Sequence, residues 1–275
     1  MSVDRPFGLR GAMTAAALAG CLAALPALAQ KAGLATKTAN EIGVSVSSYK
    51  YTEPGVMSIK ATKIGFDYSG TYAIGGEWPN RSAGWFVRGD ARFATGKGDY
   101  TSPATGSINN RPDWYYEFRG MIGKDFELGD YTLSPYAGLG YRYLFNDLRG
   151  TSTTGAVGYR RESNYLTLPI GLTHKMNLDN QKQLLTTLEY NYLISGRQQS
   201  KLSDTAIAGQ TDVNLKQRTG YGLRLGTMVR FDTWSVGPSL VWWRINESDR
   251  SSAPLLTSEP RNNTYEFGVK GAYHF

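Results

Sequence analysis

Apolar and polar residues alternate along most of this chain. From Tyr131 to Phe145 every odd position is aliphatic, aromatic or proline, whereas Arg142 lies on the opposite side. An alternation with a period of two puts one set of side chains on one face of an extended strand. The same pattern recurs in ten segments, at about 41–52, 60–74, 84–97, 113–124, 131–145, 161–174, 184–198, 217–231, 234–246 and 265–275. The pattern therefore predicts an all-β fold of about ten strands.

The connections between these segments differ in length in a regular way. If both chain ends lie on the same side, every second connection lies at the opposite end of the fold. These connections fall near 53–59, 98–112, 146–160, 199–216 and 247–262, and four of them are long and rich in Gly, Ser, Thr, Asn and Asp. The others, near 75–83, 126–130, 175–183 and 232–233, are shorter. An even strand number with long loops on one side is typical of membrane barrels, so we expect one antiparallel up-and-down β-barrel.

The last segment strengthens this prediction. It alternates like the others and finishes the chain with Tyr273-His274-Phe275. A terminal strand ending in Tyr-x-Phe resembles the closing strand of bacterial outer-membrane β-barrels, and the overall pattern resembles the small opacity-like and porin-like barrel families. The resemblance implies a location in the outer membrane of a Gram-negative cell. It also implies that the barrel assembly machinery reads Tyr273 and Phe275 as an assembly signal.

The amino terminus has the features of a cleaved signal peptide. Arg5 and Arg10 precede an apolar stretch that ends in Ala27-Leu28-Ala29, which predicts export and cleavage after residue 29. Residues 30–40 would then be a flexible lead-in, and 41–275 the barrel domain. Cys21 lies in a short lipid-attachment pattern, so its lipidation stays open. Cleavage after Ala29 would remove this cysteine, the single one in the chain, and with it any disulfide or thiol chemistry.

Alternation alone does not say which face meets lipid, because a soluble barrel such as a lipocalin also alternates. Charged residues near strand middles and aromatic residues towards strand ends favour lipid outside and charge inside. The predicted lumen charges are Asp67, Arg88, Asp90, Arg92, Glu117, Arg119, Arg142, Glu189, Arg224, Glu266 and Lys270. Strand neighbours among them should form cross-strand ion pairs. At ten strands such pairs would largely fill the lumen, since open aqueous channels need about sixteen strands.

Net charge adds one candidate binding surface. The formal charge of +7 is spread along the chain without a run of basic residues, which argues against nucleic-acid binding. Basic residues near the ends of the predicted strands could form a collar at the level of lipopolysaccharide phosphates. They are Arg160, Arg161, Arg197, Lys216, Arg218, Arg244, Arg250 and Arg261. Ordinary solvated charge at the barrel rim is the alternative interpretation.

The sequence offers little for catalysis. Omptin proteases and the other barrel hydrolases of the outer membrane resemble this chain in architecture and use histidine with acidic or serine partners. His174 and His274 both fall at the end of the barrel that carries the termini, and neither lies in a D-x-H or H-x-S pattern. We therefore predict a protein that is not an enzyme and has no cofactor or metal. A structural or surface-interaction role, with an unknown surface ligand, is favoured over a narrow pore for ions or small solutes.

Overall fold

The computed structural model describes residues 34–74, 84–179, 182–252 and 256–275. They form twelve strands: β1 Ala39–Glu53, β2 Met57–Ile74, β3 Trp85–Ser102, β4 Gly106–Lys124, β5 Phe126–Leu128, β6 Tyr131–Thr151, β7 Val157–Asn177, β8 Gln183–Lys201, β9 Val213–Gln217, β10 Gly220–Arg230, β11 Trp234–Ile245 and β12 Asn262–His274. One short 3-10 helix covers Leu202–Thr205. Across these ranges, no helix has the length and apolar character needed to cross a membrane.

The strands close into one antiparallel barrel. Apart from the short pieces β5, β9 and β10, consecutive strands pair with each other, and β1 pairs with both β2 and β12, which joins the two ends of the sheet. The two pieces β9 and β10 lie one after the other along β8 and together fill one strand position. The three-residue β5 pairs with β6 below the end of β4. The wall thus has ten strand positions, which confirms the predicted fold.

The seam of the barrel is the pairing of β1 with β12, and Asn40 and Phe275 bind each other at one end of it. The Asn40 amide donates to the Phe275 carbonyl at 2.8 Å, and the Phe275 amide donates back to Asn40 at 2.9 Å. The Phe275 side chain is 60% exposed on the outer surface. The end of the barrel at which Asn40 and Phe275 meet is called the terminal end below, and the opposite end is called the loop end.

Burial along the strands decides which face meets lipid. In β1 the side chains of Ile42, Val44 and Val46 are 51%, 57% and 58% exposed, whereas Ser45 and Ser47 between them are 5% and 4% exposed. The other strands repeat this arrangement, with aliphatic and aromatic groups outside and polar groups inside. A water-soluble barrel would have the reverse distribution, because exposing so much apolar surface to water is unfavourable. The lipid-outside interpretation is confirmed, and the lipocalin-like alternative is rejected.

The strands are longer than predicted at the loop end. β6 and β7 have 21 residues each, whereas about ten tilted residues suffice to cross a bilayer. The predicted loops near 98–112 and 146–160 are therefore mostly strand, and they turn only at 103–105 and 152–156. The prediction was wrong here because Gly, Ser, Thr and Asp were taken as loop signals. In hairpins that stand above a membrane both faces are polar, and these residue types occur within the strands.

The described part of the predicted lead-in lies against the terminal end of the lumen. Leu34 is buried, and the Thr36 hydroxyl donates to Asp125 Oδ1 at 3.0 Å. Lys175 completes this contact by donating to Asp125 Oδ1 at 3.0 Å. β1 begins at Ala39, two residues before the predicted barrel start at 41. The predicted signal peptide, 1–29, and residues 30–33 lie outside the described residues.

Candidate functional site

The centre of the lumen is occupied by an ion-pair network around Arg119. One nitrogen of its guanidinium lies 2.6 Å from Asp90 Oδ2, and the other lies 2.9 Å from both oxygens of Glu189. Arg88 binds the second oxygen of Asp90 at 2.7 Å. Glu189 is fully enclosed and also accepts a hydrogen bond from Tyr136 at 2.7 Å. Its burial is tolerated because both of its oxygens have cationic or hydroxyl donors.

A second group extends this network across the barrel. Arg224 lies 2.9 Å from Glu117 and 3.3 Å from Glu189, so it links carboxylates on β4 and β8. Arg142 lies 3.4 Å from the other oxygen of Glu117. Opposite strand positions are thereby connected through the lumen as well as around the wall.

The third group joins the seam to β3. Arg92 contacts Asp67 at 2.9 Å and Glu266 at 2.8 Å. Glu266 also accepts hydrogen bonds from Tyr115 at 2.7 Å and Ser47 at 2.8 Å. Lys270 pairs with Glu41 at 2.6 Å, nearer the terminal end.

The structure brings all eleven predicted lumen charges into ion pairs inside the barrel. Of the pairs expected between β3 and β4, Asp90 with Arg119 is present. Arg92 and Glu117 are opposite each other in register but pair with other residues. Arg92 binds its β2 neighbour Asp67 and also Glu266 on β12, and Glu117 lies near its β6 neighbour Arg142 and binds Arg224 on β10. Strand adjacency predicts only neighbouring pairs, whereas in a closed barrel inward side chains reach across the axis.

Next to the network, towards the loop end, lies a layer of buried aromatic side chains. It consists of Tyr49, Tyr115 and Trp243, which are 1%, 3% and 3% exposed. Arg142 lies over Tyr115 and Trp243, at 4.8 Å and 5.2 Å from the two ring centres. Such contacts between a cation and aromatic faces stabilise a buried guanidinium.

Lys63 and Asp113 form a buried ion pair beside this layer. The lysine is 0% exposed, donates to the Asp113 carbonyl at 2.9 Å, and lies 4.5 Å from the centre of the Tyr49 ring. Neither residue was among the predicted lumen charges. The alternation along the strands already indicated both residues. Lys63 precedes Gly65 by two positions and Asp113 precedes Tyr115 by two, so each lies on the inward face of its strand. They were missed because only charges near strand middles were selected.

Two sizeable cavities lie on either side of these layers. The cavity at the terminal end has a volume of about 730 Å³ and is lined by Thr36, Glu41, Phe86, Lys175 and His274, among others. The cavity at the loop end has a volume of about 500 Å³. Within the network itself, between Asp67 and Arg224, there is a void of only about 40 Å³, which is enough for one or two water molecules.

The floor of the loop-end cavity is a triad of buried charges, Arg161, Glu53 and Glu259. The Oε1 atoms of both glutamates contact the same nitrogen, Arg161 Nη2, and the Tyr51 hydroxyl lies 2.9 Å and 3.2 Å from these oxygens. Arg161 was predicted to belong to the external collar, and this prediction was wrong. Its side chain points inward and is 6% exposed, because β7 has Arg160 outside and Arg161 on the lumen face.

Comparison with known proteins shows which family the chain belongs to and which solved structures have a similar fold. The sequence model of the outer membrane protein β-barrel domain matches residues 14–209. The chain belongs to this family. Its fold is similar to that of the outer membrane protease OmpT from Escherichia coli, with 12% identity over 90% of this chain and 99% of that chain and a TM-score of 0.59. At this identity the likeness concerns the fold alone.

Two further outer membrane proteins are similar to it more distantly. They are Ail, the attachment invasion locus protein of Yersinia pestis, and the toluene transporter TodX of Pseudomonas putida. Ail has 12% identity over 87% of this chain and 100% of its own, and TodX has 10% identity over 87% and 90%; both TM-scores are 0.35. Among proteins with curated functions, none matches the chain in sequence.

Both histidines of this outer membrane barrel lie near its terminal end. His174 contacts the Tyr131 ring at 5.3 Å between ring centres. His274 lies 3.4 Å from Glu41 and 3.0 Å from the Ser235 hydroxyl. The long strand extensions and the loop-end cavity are at the opposite end. In the parts of the chain described above, no group of three or more His, Cys, Asp or Glu side chains could hold a metal ion.

The remaining collar residues of the barrel lie at the loop end on its outer side. Arg160 binds Asp204 at 2.8 Å, and Arg218 binds Asp249 at 2.8 Å. Their charges are therefore already compensated. Arg197 and Lys216 are opposite each other in the β8–β9 register, and both are exposed. Arg244 is half-buried and lies opposite Tyr221 in the β10–β11 register. Arg250 and Arg261 are exposed in the connection between β11 and β12.

Proposed function

We propose that this outer membrane barrel is closed to ions and solutes and acts at its loop end, as a surface-interaction protein. The observation that carries this proposal is the filling of the mid-lumen. The Arg119 network and the aromatic layer cross the barrel one above the other, and Tyr49, Lys63 and Glu189 within them are at most 1% exposed. Moving these groups aside would break several buried ion pairs at once, which is costly in a low-dielectric interior.

Two features support the loop end as the working surface. The strands β3, β4, β6 and β7 continue far beyond the length that a bilayer requires, and they enclose a cavity above the aromatic layer. The similarity to OmpT suggests a hydrolase as another candidate. The position of both histidines at the terminal end favours a non-enzymatic barrel, because no histidine is close enough to act as a base at the rim.

A conductance measurement tests the closed lumen. We expect the refolded wild-type protein to give no stepwise conductance in planar bilayers. Replacing Tyr49, Tyr115 and Trp243 together by alanine should produce a measurable leak, because it removes the three large rings from one cross-section. Steady unit conductance of the wild type, in preparations with the compact gel mobility of a folded barrel, would instead establish the narrow pore that the sequence left as the alternative.

We also propose that Arg197 and Lys216 bind a lipopolysaccharide phosphate. Like charges directly opposite each other on neighbouring strands repel, and an anion placed between them would relieve this repulsion. Arg197 follows Ile194, the last exposed large apolar residue of β8, by three positions. At about 3.3 Å per residue, this puts its charge roughly 10 Å beyond the apolar band, where headgroup phosphates lie.

The double variant Arg197→Gln/Lys216→Gln tests this contact. We expect less lipopolysaccharide to co-purify with it than with the wild type, by about five- to thirtyfold if each of the two phosphate contacts contributes about 0.5–1 kcal/mol. Arg218→Gln is the matched control, because Arg218 is exposed at the same end but paired with Asp249. Equal retention by the wild type and the double variant would show that these cations are ordinary solvated rim charge.

A further inference from the structure

The loop-end cavity has an unusual combination of a charged floor and an apolar wall. Its charged lining residues, among those the structure describes, are Glu53, Arg161 and Glu259. Each of the three is at most 6% exposed. The wall above them is largely apolar, and its aliphatic side chains include Met57, Ile108, Leu148, Val157, Val213 and Leu215.

The floor has one more carboxylate than it has cations. Both glutamates converge on a single nitrogen of Arg161, and within the described part of the chain the other donor to their carboxylates is the neutral Tyr51 hydroxyl. A buried negative charge without a partner is costly, so this site gains by taking up a cation or a proton. Burial raises the pKa of Glu259 to about 7, against the opposing effect of Arg161. The Glu259 carboxyl thus exchanges its proton near neutral pH.

We infer that the loop-end cavity is a binding site for a small organic cation, a primary ammonium on an apolar body. The ammonium would replace the proton on Glu259 and would donate hydrogen bonds to the carboxylates of Glu53 and Glu259. The apolar body would lie against the wall residues, where leaving water is favourable. A bare metal ion fits less well, because hard cations take six or more oxygen ligands, whereas the described lining of the cavity offers two carboxylates and a largely apolar wall.

This inference rests on the proposed function, since it supplies the chemistry of a ligand at the loop end. The two remain separable by experiment. A barrel that conducts but binds the amine would contradict only the closed lumen. A barrel that does not conduct and does not bind the amine would contradict only the ammonium site.

Benzylammonium is a suitable probe for titration calorimetry with the refolded full barrel in detergent at pH 8. We expect saturable binding, and a loss of affinity of at least tenfold in Glu53→Gln and in Glu259→Gln. Benzyl alcohol, which has the same body without the charge, should bind at least tenfold more weakly than benzylammonium. Asp212→Asn is the matched control, because Asp212 is an exposed carboxylate outside the cavity that pairs with Lys201. Its affinity should equal that of the wild type.

The pH dependence gives a second readout. Binding of the cation displaces the Glu259 proton, so affinity should fall about tenfold from pH 8 to pH 6, a range centred on the raised pKa. If a glutamine variant loses the compact gel mobility of the folded barrel, Ala104→Phe replaces it, because this exposed residue of the β3–β4 turn lines the cavity and its enlargement should block entry. Absence of saturable binding, equal binding of benzyl alcohol, or unchanged affinity in both the glutamine variants and Ala104→Phe would overturn the proposal.

Discussion

Arg119→Met should lower the free energy of unfolding by about 3–5 kcal/mol, because it removes one partner from two buried ion pairs. Glu189, which is 0% exposed, would lose both of its contacts with Arg119, and Asp90 would retain only Arg88 and Ser69. Methionine keeps most of the side-chain volume, so the loss would report the two lost ion pairs more than a cavity. Urea unfolding in lipid vesicles, followed by gel mobility, measures the change.

The second change in this experiment separates charge from packing. Adding Glu189→Gln to Arg119→Met removes the carboxylate that has lost its Arg119 contacts. The double variant should therefore be more stable than the sum of the single changes predicts. Arg149→Met serves as the control at an exposed pair, since Arg149 binds Asp147 with half of its side chain in solvent. It should leave stability nearly unchanged. A similarly small effect of Arg119→Met would mean that the central network contributes little to holding the barrel together.

Val46→Pro should prevent closure of the barrel or destabilise it by about 2–7 kcal/mol, the range for a peptide group left unpaired in an apolar environment. Val46 lies between Ile64 on β2 and Val269 on β12, so β1 is paired on both sides at this position. Proline has no amide hydrogen and is normally confined to edge strands. A closed barrel has no edge, and in lipid no water can replace the lost partner.

Val46→Ala is the matched control, because it removes the apolar side chain but keeps the amide hydrogen. Val46 is 58% exposed towards lipid, so the alanine variant should fold with the heat-modifiable gel mobility of the wild type. The proline variant should run as the unfolded form with or without heating. If Val46→Pro folds as well as Val46→Ala, then the β1–β12 seam is not the contact that closes the barrel.

The two predictions address different levels of the same structure. The seam is a backbone feature, and any sequence with the right alternation and length could form it. The Arg119 network is specific to this chain, since it depends on which inward position of each strand carries which charge. Together they separate the contribution of the fold from that of this chain's own residues.

The collar shows how a one-position error changes the interpretation of a residue. Arg160 and Arg161 are neighbours near the start of β7, and the sequence suggested that both belong to the outer collar. The structure has Arg160 on the outer side with Asp204 and Arg161 on the floor of the loop-end cavity. Because side chains alternate along a strand, adjacent residues in an extended segment cannot share one face. A prediction in which β7 begins at Val157 would have put Arg160 and Arg161 on opposite faces of the strand.

The sequence by itself determined the all-β fold, the number of strand positions, the face that meets lipid and the eleven lumen charges. The strands follow from a period of two along the chain, and the lipid-facing side follows from charges near strand middles and aromatic residues towards strand ends. Both patterns are local and can be counted. Only the tertiary structure decided which charges pair across the lumen, that Lys63 and Asp113 join them, and that Glu53 and Glu259 meet at Arg161. Those contacts join residues far apart in sequence, and their geometry depends on strand register, strand length and the closure of the barrel, none of which the local alternation specifies.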